Sequence, residues 1–124
     1  MALATRNVFV LSGGNPGLIV RGNIDIYHRA VAHLPNGKIA TVNTASWHLN
    51  PDEERRFGVK SHKHPHGVEI LIPQVINGKV VGARQSLDYA MRTKQHLGIF
   101  DTPQHATQYA IRLHQQQAKF YAGR

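Results

Sequence analysis

The stretch His62-Lys63-His64-Pro65-His66 holds the densest set of potential metal ligands in the chain. Alternate residues of an extended segment point to one face, and neutral imidazole is a good ligand for transition-metal ions. Lys63 and Pro65 interrupt the segment, and no carboxylate or cysteine lies close in sequence to complete a set. His62, His64 and His66 therefore read first as solvated or interface side chains. A metal site there would need a distal ligand such as His48 or Glu69, and no cofactor is expected. The seven carboxylates are Asp25, Asp52, Glu53, Glu54, Glu69, Asp88 and Asp101. Glycoside cleavage by a carboxylate pair needs about 5 to 9.5 Å between the groups. Nothing in the spacing brings Glu69 to the 52–54 run, and Glu53-Glu54 beside Arg55-Arg56 reads as a locally neutralised surface. Ser46 and Ser61 lack the strained turn that makes a nucleophile. Ser12-Gly13-Gly14 is followed by no lysine at phosphate-loop spacing. The residues give no reason to expect an enzyme.

Charge points instead to contacts. Fifteen Lys and Arg against seven Asp and Glu give +8, a balance that favours nucleic acid, an anionic surface or an acidic protein. The distribution decides between them. No run of five or six basic residues occurs, and the densest cluster, Arg55, Arg56, Lys60 and Lys63, sits beside Asp52, Glu53 and Glu54. Aromatic residues do not interleave with it. An acidic protein neighbour is thus the preferred partner, with nucleic acid second. The contact candidates are Phe9, Leu11, Arg55, Arg56, Lys60 and Lys63. With no cysteine there is neither a disulfide framework nor a thiolate zinc site. No apolar run approaches the roughly 20 residues that span a bilayer, so no membrane role is expected. Residues 1–11 lack a secretory pattern, which implies synthesis in a cytoplasm.

A chain of 124 residues suits one domain. Residues 1–20 read as an extended N-terminal arm. Asn7-Val8-Phe9-Val10-Leu11 reads as one short strand, and Ser12-Gly13-Gly14-Asn15-Pro16-Gly17 consists of turn formers. That strand either pairs with another chain's sheet edge or makes an edge strand of its own domain. Residues 21–124 form a single α+β domain. Asn36-Gly37 between 29–33 and 39–44, and Asn77-Gly78 between 70–76 and 79–81, both predict type I′ hairpins. These two hairpins make a small antiparallel sheet. Val68, Ile70 and Ile72 share a face, and Pro73 marks a bulge or an edge. The polar segment 50–67 reads as an exposed loop and a contact element. Trp47 is expected in a core or an interface, the core being preferred.

Two C-terminal helices pack on this sheet. Ser86 is placed to cap one over 87–95, with Asp88 in its first turn and Gly98 ending it. Thr102-Pro103 starts the second. Its apolar stripe is Ala106, Tyr109, Ala110, Leu113 and Gln117, with Gln108, Arg112, Gln115, Gln116 and Lys119 on the wet side. Leu97, Ile99 and Phe100 pack the connector between the helices onto the sheet.

Several of these segments share one further property. Pro16-Gly17-Leu18-Ile19, Gly22-Asn23-Ile24-Asp25-Ile26 and His28-Arg29 precede the hairpin Asn36-Gly37-Lys38-Ile39-Ala40-Thr41-Val42. Val68-Glu69-Ile70-Leu71-Ile72-Pro73 follows, then Thr93-Lys94-Gln95-His96-Leu97-Gly98-Ile99-Phe100-Asp101-Thr102-Pro103, then Ala106, Tyr109-Ala110 and Leu113-His114-Gln115-Gln116-Gln117. Over roughly residues 16–121 this resembles a family of small domains in tailed-bacteriophage virion proteins. The chain departs from that pattern at Asn43-Thr44-Ala45-Ser46-Trp47, where arginine and an aromatic near Ser are usual, and in the longer 50–67 segment.

The resemblance implies a virion structural protein, made in the bacterial host cytoplasm. It would belong to a capsid decoration, a head–tail junction or a tail. Its expected partners are other phage structural proteins (capsid, portal, adaptor or tail), met in a symmetric homo-oligomer. The alternatives are a nucleic-acid-binding phage protein and an accessory domain of a peptidoglycan-degrading virion protein. The motif residues are caps, turns and core positions, which specify a fold before a reaction.

Overall fold

A computed structural model describes residues 14–24, 32–33, 39–40, 44–60 and 63–122, with backbone alone at 32, 33, 39, 40 and 120–122. The eight strands are β1 (Leu18–Arg21), β2 (Ala32–His33), β3 (Ile39–Ala40), β4 (Thr44–Leu49), β5 (Val68–Pro73), β6 (Val75–Ile76), β7 (Lys79–Val80) and β8 (Gly98–Phe100). The helices are α1 (Pro51–Arg56), α2 (Ala83–Thr93) and α3 (Pro103–Ala122). The class is α+β.

The main sheet is antiparallel, with strand order β1-β8-β5-β4. β5 is buried along its whole length because it is covered on both faces. Its period-two alternation sends Val68, Ile70 and Ile72 to one side and Leu71 to the other. On the first side they join Ile99, Leu49, Val59 and the α2 residues Leu87 and Ala90. On the second, Leu71 and Phe100 pack against Ala106, Tyr109 and Leu113 of α3. The sheet thus lies between α2 and α3. Each fully buried Leu, Ile or Phe contributes roughly 1.5–3 kcal/mol by leaving water, which makes this double cover the main source of stability.

The strands on either side of each Asn-Gly pair with each other, but neither pair builds the main sheet. β2 pairs with β3, Ala32 opposite Ala40 and His33 opposite Ile39; their turn lies outside the described residues. β6 pairs with β7 around Asn77 and Gly78, whose φ values of 51° and 78° are those of a type I′ turn. β5 ends at Pro73, opposite Thr44 and beyond the reach of β8, which pairs only with 69–71. Proline therefore sits where a missing donor costs one ladder bond or none. The long apolar run then breaks at Gln74, and its last two residues turn into the separate hairpin.

Three boundaries differ from the sequence expectation. The extended arm stops short of residue 20, because Leu18–Arg21 is an edge strand paired with β8 across a bulge between Leu18 and Val20. The 7–11 strand, with Phe9 and Leu11, lies outside the described residues. The 50–67 segment is not all exposed loop: it holds α1, and Glu54 and Val59 are buried. Asn50 and Glu53 form a capping box there. Asn50 Oδ1 accepts from Glu53 N at 2.8 Å, and Glu53 Oε1 accepts from Asn50 N at 2.9 Å.

α2 also starts and stops elsewhere. Gly82 occupies the N-cap without a side-chain bond, and Ser86 is inside the helix, buried, donating its hydroxyl to Ala83 O at 2.7 Å. A serine that bonds back into its own turn fits the interior of a packed helix as well as a cap. The helix ends on Lys94 in the left-handed region, φ 63°, and not on Gly98. Gly98 instead opens β8, where a Cβ would press on the Phe100 ring. Ile99 and Phe100 accordingly form a central strand rather than a connector. Thr102 does cap α3, its Oγ1 accepting from His105 N at 3.1 Å. The stripe Ala106, Tyr109, Leu113 and Gln117 is buried as its spacing requires.

Candidate functional site

His48 and Glu69 stand opposite each other in the β4–β5 register. Imidazole Nδ1 lies 2.7 Å from Glu69 Oε2. The carboxylate is buried and the imidazole 60% exposed, so the strand pairing holds one polar group inside and presents its partner to solvent. With the carboxylate ionised, Nδ1 is the donor of this bond.

That ring forms one wall of a groove of about 420 Å³. β4 supplies His48 and Leu49, the first turn of α1 supplies Pro51 and Glu54, and the following turn supplies His64, Pro65, His66 and Gly67. The capping box turns the chain sharply at Asn50, which brings Glu54 back over the strand end. Gly67 has φ +81°, and a Cβ there would lie 2.4 Å from His48 Cε1. Only glycine allows the turn to close against the imidazole. Glu54 is 2% exposed, and its Oε1 has no hydrogen-bond partner among the described residues. A buried carboxylate oxygen without a partner is unusual in a folded protein and needs an explanation.

The other expected contact residues are dispersed. Arg55 and Arg56 are exposed, and both reach Asp52, at 3.4 and 3.1 Å. Lys60 and Lys63 are exposed, and His62 lies outside the described residues. Glu53 is held in the capping box and Glu69 by His48, which accounts for two of the carboxylates considered for catalysis. Trp47 is half-buried against the α2-side core rather than fully enclosed, with the Arg84 guanidinium 5.9 Å from its ring centroid. Among the described residues no helix is long and apolar enough to cross a membrane.

Three features escaped the sequence. His96 is buried, in edge contact with Phe57, and its Nδ1 lacks a partner among the described residues. Burial pushes its imidazole down to about 4. His105 Nδ1 lies 2.6 Å from Asp101 Oδ1, and Gly17 packs against both side chains. The i,i+4 spacing was a signal for this pair. The last is an open groove of about 510 Å³ between β4 and α3, lined by Thr44, Ser46, Leu71, Ala110, Ile111 and His114, among others. Ile111 is 54% exposed there, an apolar residue off the main stripe of its helix.

Comparisons of this chain with protein-family models, curated proteins and solved structures give no match.

Proposed function

We propose that this chain is a structural component of a tailed-phage virion and acts through protein–protein contacts in a symmetric assembly. The observation that carries this reading is the groove between β4 and α3. An exposed Ile111 stands beside Leu71 and Ala110 there, along the terminal strand of the main sheet. A concave apolar strip next to a strand with no described partner on its outer side suits insertion of a segment from a neighbouring subunit. The excess of positive charge favours an acidic neighbour. Arg55 and Arg56 share Asp52, which reduces their worth as phosphate contacts and ranks nucleic acid second. The resemblance over residues 16–121 supplies the phage context.

Mass spectrometry of purified particles, fractionated into heads and tails, tests this. The expected result is a fixed copy number in one fraction, set by the symmetry of the assembly. Absence from purified particles overturns the proposal.

A further inference from the structure

What enters the groove between β4 and α3 rests on its reading as a contact site; given that, the sheet edge beside it narrows the choice. β4 pairs with β5 in unbroken register from Thr44 to Leu49, and among the described residues no strand pairs with its outer side. Sheets blunt such edges with charged residues, proline or a bulge. The opposite edge, β1, has both a bulge and Arg21. β4 reads Thr-Ala-Ser-Trp-His-Leu and has no Lys, Arg, Asp, Glu or Pro. An apolar side chain borders this edge on each face of the sheet. Ile111 stands exposed on the α3 side, near Thr44 and Ser46, and Trp47 is half-buried on the α2 side. A strand added here would be covered on both faces. Strands covered in this way are apolar at consecutive positions, as β5 is at Ile70, Leu71 and Ile72.

Val8-Phe9-Val10-Leu11 is such a run, uncharged and rich in the β-branched and aromatic residues that favour strands. It lies outside the described residues, but the point from which it departs is fixed. Arg112 donates to Gly14 O at 2.9 Å. On α3, Arg112 lies about 160° around the axis from Ala110 and from His114, both of which line the groove. The sheet agrees with this placement. Gly14 leads into β1, and β1 and β4 are opposite edges, three ladder spacings or roughly 14 Å apart. A strand beyond β4 lies one spacing further. Leu11 is three residues from Gly14 and reaches at most about 11 Å from it. The segment therefore falls short of the groove of its own chain. We propose that residues 7–11 of one copy add to the outer edge of β4 in a second copy, beside Ile111, so that the chain self-assembles by exchanging its N-terminal arm. Reciprocal exchange closes a two-fold dimer, and one-way exchange passes from copy to copy around a ring.

Sedimentation velocity of the untagged full chain, across a wide concentration range, tests this. The expected result is reversible self-association. Phe9→Pro/Val10→Pro removes the backbone donors of two adjacent residues, one of which would face β4. Ile111→Glu places a carboxylate in the groove. Both variants alter residues outside the described core, circular dichroism checks their folding, and each is expected to stay monomeric where the parent associates. Mixing the two is expected to restore association, because one variant keeps an intact groove and the other an intact arm. A parent chain that is monomeric throughout overturns the proposal. So does association that survives either variant, which would assign the self-contact to another surface. A mixture that stays monomeric overturns it too, since exchange between copies requires complementation. A monomeric parent found at fixed copy number in particles would remove the exchanged arm and leave the structural role standing.

Discussion

Glu69 is buried in the central strand β5, and its Oε2 lies 2.7 Å from Nδ1 of His48, the residue directly opposite on β4. The pair therefore ties the terminal strand of the sheet to the core by a side-chain bond as well as by the ladder. Replacing His48 by Ala leaves the carboxylate inside without that partner, and the penalty for such an orphan is about 1–3 kcal/mol. Replacing both by apolar residues, His48→Ala with Glu69→Leu, removes the orphan. Urea denaturation is expected to show the double variant less destabilised than the sum of the two single changes. Strict additivity would mean that the two groups do not interact.

Gly67 and Gly58 both have positive φ, +81° and +78° respectively, but only Gly67 lies against a side chain. Gly58→Ala carries the backbone cost alone, roughly 1–2 kcal/mol. Gly67→Ala adds a clash with the His48 ring and is expected to cost more. In the His48→Ala background that extra cost should disappear, leaving the two glycine positions equal. Denaturation midpoints of the parent, His48→Ala, and the two glycine variants in each background decide it.

The buried His96 sets a pH dependence. Its pKa falls from 6.5 to about 4 in the folded chain because burial disfavours the charged form. The unfolded chain therefore binds a proton between these limits that the folded chain rejects. This contribution to stability is fully present above pH 6.5 and is lost as pH falls toward 4. The slope approaches about 1.4 kcal/mol per pH unit. His96→Gln or His96→Leu is expected to flatten that part of the curve. Comparison of chemical denaturation at pH 7 and pH 5 reads it directly, and an unchanged slope in the variants would assign the dependence to other groups.

The helical half of the fold was more legible in the sequence than the sheet, for physical reasons. Thr102-Pro103 and the stripe from Ala106 to Gln117 are local signals, satisfied within a few turns of one helix. The Asn-Gly turns were equally local, and the one lying within the described residues has the dihedrals its residues predict. The main sheet is not local. β5 finds β4 across the 50–67 segment and β8 across α2, and no residue type announces those partners. The same reason hid the groove. Glu54 looked like one of three solvated acids, yet it is buried and lines the same groove as His48. The Gly22-Asn23 segment shows how long-range pairing gives a motif its meaning. Asn23 donates to Lys94 O and accepts from His96 N, and a Cβ on Gly22 would meet the Leu97 carbonyl.

Ile111 and Gln108 separate the contact proposal from general surface effects. Both are exposed on α3, but Ile111 lines the β4 groove and Gln108 does not. Substitution of an exposed residue away from the core usually changes stability by about 0.5 kcal/mol or less, so Ile111→Glu and Gln108→Glu should both fold. Each places a carboxylate on the same helix, and only the first places it in the apolar strip proposed to receive a neighbour. Burying that carboxylate against a partner is costly without a paired cation. When phage carrying each variant are purified, Ile111→Glu is expected to lower the copy number in particles markedly, while Gln108→Glu leaves it unchanged. Equal incorporation of the two would remove the groove from the interface and move the search to the basic surface at Arg55, Arg56, Lys60 and Lys63.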